Sequence, residues 1–167
     1  MISANWNKAK LLITILDNRS TAMTGFQPHP GLDRNAVGDP TNPVSIEDIV
    51  KASNIDFVRT LDPYNVEEGE RIFTEALKHD KTAVVISKHE CALIAQRKAR
   101  KAGTTELPYA VNHEACIHCK ICMTQFGCPA IYSENKKSNI DPILCIGCGV
   151  CEAVCPHGAI YQLEEEA

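Results

Sequence analysis

The sequence predicts an α/β chain in which parallel-sheet layers are followed by a small cysteine-rich α+β module. Three observations carry that expectation. Helix-like and strand-like segments alternate through the first 88 residues, eight of the nine cysteines fall after residue 115 in two copies of one spacing, and Gly103-Thr104-Thr105-Glu106-Leu107-Pro108 between them reads as a linker. Domains are therefore expected at residues 1–103 and 106–167.

The first segment opens on Ala4-Asn5-Trp6-Asn7-Lys8-Ala9, the tail of a helix with no capping signal before it, so upstream sequence is expected. Leu11 to Leu16 is a continuous apolar, partly β-branched run bounded by Asp17-Asn18, the pattern of a strand buried on both faces. A long loop rich in Pro, Gly and Asn runs from Asn18 to Pro43, a length that in compact domains usually accompanies function or disorder. Ser45-Ile46-Glu47-Asp48 starts a capped helix, and Asp56 to Leu61 reads as a second strand. Asn65 to Glu68 caps a further helix that runs to about His79 with Ile72, Phe73, Ala76 and Leu77 on one face; Thr82 to Ser87 is a third buried strand. Such alternation implies parallel strands, here part of a larger layer domain. Cys91 to Ala102 is expected to be a helix closed by Gly103, its Arg97, Lys98, Arg100 and Lys101 forming a solvated C-terminal end that suits the macrodipole. A docking patch for an acidic electron acceptor is the second reading of those charges.

Composition excludes some function classes. A hydrophobic fraction of 44% is enough for a core in the first segment, whereas about sixty residues of cysteine-rich chain need metals or disulfides to stay folded. The net charge of −4 offers no basic field for nucleic acid. No apolar run approaches the roughly 20 residues of a membrane span and no signal peptide is recognisable, so a cytoplasmic protein is expected. An odd number of cysteines in Cys-x-x-Cys spacing favours metal ligation over disulfides.

The cysteine pattern is an internal duplication: Cys116, Cys119 and Cys122 followed by Cys128-Pro129, then Cys145, Cys148 and Cys151 followed by Cys155-Pro156. Triplets trailed by Cys-Pro fit the paired knuckles of zinc poorly and fit two [4Fe-4S] clusters well. In two-cluster ferredoxins the Cys-Pro thiolate ligates the other cluster. That rule assigns Cys116, Cys119, Cys122 and Cys155 to one cluster and Cys145, Cys148, Cys151 and Cys128 to the second. Five residues, Met123 to Gly127, separate the third and fourth cysteines of the first half where the second half has three. Gly147, Gly149 and Ala130 are expected to let backbone amides approach the sulfurs and raise the potential. His113, His118 and His157 are expected beside the ligands, since thiolates fill all eight positions. Cys91 stands outside the pattern as a buried apolar thiol.

Asp17-Asn18 at a strand end is by itself an ordinary turn. The whole stretch Ile15-Leu16-Asp17-Asn18-Arg19-Ser20-Thr21-Ala22-Met23-Thr24-Gly25-Phe26-Gln27-Pro28-His29-Pro30-Gly31 is far more specific. It resembles the thiamine-diphosphate domain of the indolepyruvate:ferredoxin oxidoreductase α subunit, a family that also ends in a two-cluster ferredoxin module, so the resemblance spans essentially the full chain. It implies a partial parallel-sheet thiamine-diphosphate-binding domain followed by a bacterial-type ferredoxin domain. It further implies Asn18 as side-chain ligand of Mg²⁺ on the cofactor diphosphate, the Ser20 carbonyl as another, and Met23 and Thr24 nearest the thiazolium and substrate. The family's upstream Gly-Asp turn is missing, and Gly38-Asp39-Pro40 follows the loop and is no substitute.

The implied activity is oxidative decarboxylation of a 2-oxo acid, an aryl pyruvate such as indolepyruvate, with coenzyme A as acyl acceptor and ferredoxin as electron sink. No catalytic residue is singled out. The implied partners are a β subunit and an upstream α-subunit segment, without which the chain is expected to be inactive. A rival expectation is an electron-transfer protein whose α/β segment is a non-catalytic scaffold; another keeps the enzyme and changes the substrate to pyruvate or a different 2-oxo acid.

Overall fold

The computed structural model describes residues 1–104 and 106–164; Thr105 of the linker and residues 165–167 at the end of the expected second domain lie outside them. The chain divides into two compact units, Met1–Ala95 and Gln96–Ala167.

The first unit is a three-stranded parallel sheet between helices. Its elements run α1 (Ile2–Trp6), β1 (Leu12–Asp17), α2 (Ile46–Ala52), β2 (Phe57–Leu61), α3 (Val66–Lys78) and β3 (Ala83–Lys88), the alternation expected from the sequence. The strand order β1-β3-β2 puts the last strand in the middle. Leu12 is opposite Ala83 and Asp17 opposite Lys88, while Phe57 is opposite Ala83 and Leu61 opposite Ser87. All three strands therefore end together, and the chain leaves each at the same edge.

Period-two burial sorts the strand residues between two cores. Ala83 and Val85 join Leu61, Ile72 and Ala76 beneath α3, with Leu12, Phe57 and Phe73 packed around them. Val84 and Ile86 face the other way and join Val50 and Ile55, with Ile13, Ile15, Ile46 and Val58 alongside. The helix starts behave as their sequences require: Ser45 Oγ accepts from the Asp48 amide at 3.0 Å, and Asn65 Oδ1 accepts from the Glu68 amide at 3.1 Å. At the amino end, Asn5 Nδ2 donates to the Ser53 and Asn54 carbonyls and ties α1 to the end of α2.

Three expectations are corrected. β1 is an edge strand and is not buried on both faces: Leu16 is 78% exposed, because α3 covers Leu12 but does not reach the far end of that face. Leu77 is likewise exposed, since the apolar stripe of α3 is centred on Ile72 and Ala76. Cys91 is only half-buried. The long loop is ordered: a 3₁₀ turn at Ala22–Thr24 and a bridge between Arg34 and Pro40 subdivide it.

α4 (Ala92–Ala102) carries the chain into the second unit and ends at Gly103, whose φ of 72° closes the helix. There β4 (Tyr109–Val111), α5 (Ile121–Thr124) and β5 (Ile131–Glu134) form one half; β6 (Lys137–Ile140), α6 (Val150–Ala153) and β7 (Ile160–Gln162) form the other. β4 pairs antiparallel with β7 and β5 with β6, so each half completes the other's ladder. Asn135 and Lys136, both at positive φ, make the tight turn of the β5-β6 hairpin. The core is Tyr109, Cys122, Ile131, Cys151 and Ile160, with Cys128, Cys145 and Cys155 packed against it. Thiols thus occupy space that aliphatic side chains fill elsewhere.

Ile72 is 2% exposed under the central strand, so Ile72→Ala should lower stability by about 2–5 kcal/mol. Urea denaturation followed by circular dichroism checks this. An unchanged midpoint would mean that α3 does not seal that face.

Candidate metal and cofactor sites

Both cysteine triplets are built on one local plan. An Asx turn opens each: Asn112 Oδ1 accepts from the Glu114 amide at 2.9 Å, and Asp141 Oδ1 accepts from the Ile143 amide at 2.8 Å. The amide of the first cysteine then returns to that residue's carbonyl, Cys116 to Asn112 and Cys145 to Asp141, at 3.0 Å each. Positive φ follows on either side of the second cysteine, at His118 and Lys120 in one half and at Gly147 and Gly149 in the other. Alternating handedness of this kind turns successive N–H groups to one side and makes an anion-binding concavity, here around a thiolate set.

The strand exchange then decides which cysteines meet. Val111 and Ile160 are opposite each other at one end of the β4-β7 ladder. From that end the chain runs forward to Cys116 and backward to Cys155. Cys116, Cys119, Cys122, Cys155 and Pro156 accordingly line one pocket with Ser138. In the other half, Ile131 opposite Ile140 brings Cys128 and Cys145 to the same end of the hairpin. Burial, then the charges of Cys148, Cys128 and Cys145, push the Cys151 thiol up to about 12, which places Cys128 within electrostatic reach of the second triplet. Four thiolates so confined repel one another and need cationic metal to be deprotonated together. Among the described residues no three Cys, His, Asp or Glu side chains meet closely enough to hold a single ion.

Other groups already compensate charge at the sulfurs. Burial pushes the Cys116 thiol up, but the Ser138 and His118 amides, the Ser138 hydroxyl and the Lys137 ammonium outweigh it, and the net direction is down. The Tyr109 amide donates to Cys145 Sγ and the Ala159 amide to Cys155 Sγ, each at 3.4 Å. Gly147 and Gly149 allow a close approach of that donor strand. A Cβ at 147 would come within 2.5 Å of Glu106 Cβ, and one at 149 within 3.0 Å of Tyr109 Oη. These glycines make room for the strand that supplies the sulfur's donor. Sequence reasoning missed Tyr109, Ser138 and Ala159, which carry no motif because two of them act through the backbone. Neither His113 nor His118 is turned to a sulfur: their Nε2 atoms lie 2.9 Å from Asn139 Oδ1 and Ser133 Oγ.

In the first unit the resemblance-derived residues sit where β1 leaves the sheet. The Asp17 and Asn18 carbonyls are held by the His89 and Cys91 amides at 3.0 Å, so the chain leaving β3 fixes the chain leaving β1. Buried Asp17 accepts from the Arg19 amide, and Asn18 Oδ1 accepts from the Ser20 amide, both at 3.0 Å. Ser20 Oγ is buried without a hydrogen-bond partner among the described residues. An orphaned oxygen in the residue whose amide holds Asn18 Oδ1 suits a cationic ligand, and at Ser20 the sequence had pointed only to the carbonyl. Met23 and Thr24 are set apart from that pair. Thr21 and Gln27 close a small loop through a bridge, Thr24 Oγ1 meets Gln27 Oε1 at 2.7 Å, and Met23 is fully exposed at the tip.

Residues 1–87 match the profile described as thiamine pyrophosphate enzyme, C-terminal TPP binding domain. The chain belongs to that family. Residues 139–161 match the 4Fe-4S binding domain, the segment from β6 to β7 that carries the second triplet. Along its whole length the chain is similar to subunits named indolepyruvate oxidoreductase subunit IorA. It is 41% identical over 167 residues to that of Pyrococcus horikoshii, covering 99% of this chain and 26% of the relative. With that of Methanothermobacter thermautotrophicus it shares 42% over 160 residues, 96% of this chain and 25% of the relative. The cysteine-rich part is 46% identical over 51 residues to a ferredoxin 7Fe of Hydrogenibacillus schlegelii, 29% of this chain and 65% of that protein. The chain spans about a quarter of the length of the IorA relatives. No helix among the described residues is long and apolar enough to cross a membrane.

The duplicated turns differ in what they cost. Lys120 holds a left-handed conformation that Gly149 adopts freely, so Lys120→Gly should stabilise the cluster-loaded protein by about 1 kcal/mol. Gly149→Ala should destabilise it, being strained and pressed on Tyr109. Midpoints for loss of cluster absorbance in urea measure both; a Lys120→Gly midpoint at or below that of the parent would remove the strain assigned to this turn.

Proposed function

We propose that this chain is the C-terminal part of the α subunit of an indolepyruvate-type 2-oxo acid:ferredoxin oxidoreductase. The observation that carries the reading is order: the Asn18–Ser20 loop at the carboxyl edge of a parallel sheet precedes two thiolate sets in one chain, and both parts align with IorA over 99% of the chain. Residues 1–103 form the cofactor unit and 106–167 the ferredoxin domain. The substrate is an aryl pyruvate, oxidised to its acyl-coenzyme A, with electrons passing through two [4Fe-4S] clusters to ferredoxin. A β subunit and the upstream α-subunit segment complete the enzyme.

Thiamine diphosphate with Mg²⁺, when bound, supplies the electron sink that decarboxylation of a 2-oxo acid requires. The chain's own residues position it. Asn18 offers its amide oxygen and Ser20 its carbonyl to the cation, and the His89 and Cys91 amides keep that turn from shifting. The closed loop from Thr21 to Gln27 presents Met23 and Thr24 to the reacting end and helps exclude water from it. In the second unit Cys116, Cys119, Cys122 and Cys155 hold one cluster and Cys145, Cys148, Cys151 and Cys128 the other. The pocket lined by the first four, and the charge of Cys128 felt at Cys151, support this division. Amides aimed at Cys116, Cys145 and Cys155 favour added negative charge on those sulfurs.

Anaerobic reconstitution should load about eight irons and eight acid-labile sulfides per chain. Cys155→Ala should damage the cluster on the first triplet and Cys128→Ala that on the second, as read by electron paramagnetic resonance. Damage confined to each cysteine's own triplet would refute the crossed arrangement, and zinc without sulfide would refute iron–sulfur altogether.

The isolated, cluster-loaded chain should accept electrons from a strong reductant yet fail to oxidise indolepyruvate. Adding the upstream segment and the β subunit should restore turnover, and Asn18→Ala in that assembly should weaken Mg²⁺ and cofactor binding while sparing both clusters. Turnover by the isolated chain, or full activity of the variant at limiting cofactor, would contradict the assignment. A thiamine-independent assembly would instead establish the electron-transfer scaffold.

A further inference from the structure

The loop Pro28–Val44 folds back on itself beyond the Thr21–Gln27 turn. Val44 donates its amide to the Pro30 carbonyl at 2.8 Å, Thr41 to Asp33 at 2.8 Å and Asn35 to Asp39 at 2.9 Å. These bonds frame a cavity of about 410 Å³ walled by Pro28, Pro30 and Val44 and reached by His29, Arg34 and Asn35. That volume lies within the roughly 300–1,000 Å³ of small-molecule sites.

Two of the lining side chains spend an acceptor atom on the loop's own backbone, and a third spends a donor. His29 Nδ1 accepts the Gly31 amide at 3.1 Å, so the ring proton sits on Nε2. Asn35 Oδ1 accepts the Val37 and Asp39 amides at 3.1 and 2.9 Å, which leaves its NH₂ group. Arg34 uses Nη1 on the Gly38 carbonyl at 2.8 Å and keeps its other N–H groups. Three side chains thus present N–H donors and one of them a fixed positive charge, beside the polar Thr41 and Asn42 and the apolar Pro28, Pro30 and Val44. A ligand with a carboxylate head and an apolar body matches that lining; a cation does not.

We propose that this cavity binds the carboxylate of an aromatic organic acid, serving as the subsite for the 2-oxo acid of the reaction proposed above, on which this identification rests. Arg34 supplies the charge, while His29 and Asn35 fix orientation. Gly31 is part of the device, because a Cβ there would stand 2.9 Å from His29 Cε1 and push the ring off its bond.

Nuclear magnetic resonance on the full chain tests this without catalysis, using phenylpyruvate as probe with acetate and inorganic phosphate as comparison arms. The free protein should show His29 protonated at Nε2 and not at Nδ1. Phenylpyruvate should shift the His29 and Arg34 side-chain signals saturably, with acetate at least about tenfold weaker for lack of an apolar body. Arg34→Gln and Gly31→Ala should each weaken phenylpyruvate by about tenfold or more, circular dichroism showing both folded. Absence of a saturable shift, unaltered binding by a folded Arg34→Gln chain, a proton on Nδ1, or phosphate binding as tightly as phenylpyruvate would each overturn the proposal. Turnover of 2-oxo acids by the assembled enzyme is measured separately: binding without turnover faults the enzyme reading alone, and turnover without binding faults the subsite alone.

Discussion

Exchange of strands between the two halves of the cysteine-rich unit is the constraint on which its other features depend. Because β4 is completed by β7 and β5 by β6, neither triplet can form its surroundings from its own half. Chain direction does the rest. An antiparallel pair releases one strand forward and the other backward at the same end, so a triplet after β4 meets the Cys-Pro before β7. The repeated Asx turns and alternating φ signs then aim N–H groups at the enclosed sulfurs. With no large aliphatic core, this unit relies on the thiols both as filling and as donors.

The first unit obeys a simpler constraint. Parallel strands in register must all end at one edge, and the turns after β1 and β3 become neighbours there. The His89 and Cys91 amides that hold the Asp17 and Asn18 carbonyls follow from that geometry. Ser20 is buried by the same crowding, and its hydroxyl has no hydrogen-bond partner among the described residues.

Much of this was legible in the residues, for identifiable reasons. Apolar runs at Leu11 to Leu16, Asp56 to Leu61 and Thr82 to Ser87 located all three strands to within a residue or so, because burial against a layer demands such runs. Ser45 and Asn65 marked helix starts because a cap is a local bond. The edge position of β1 was not legible, since a run of Leu and Ile looks the same at the edge and the centre; only the strand order separates them. The donors at Tyr109 and Ala159 were hidden because a backbone amide has no signature. Which backbone Gly147 and Gly149 admit was not legible, because Glu106 and Tyr109 are far from them in the chain. The donor-only character of His29 and Asn35 also escaped the sequence, because it arises from which backbone amides the loop folds onto them.

The central place of β3 also governs the order in which the first unit is assembled. β1 and β2 make their ladder contacts with β3 and not with each other, and Leu12 and Ala83 are neighbours across more than seventy residues of chain. Closing that span carries a loop entropy that helix formation in α2 or α3 cannot offset locally. During synthesis, therefore, the two edge strands leave the ribosome with exposed apolar faces and must wait for Ala83–Lys88 before the sheet can nucleate. Until then they are open to mispairing or to chaperone capture.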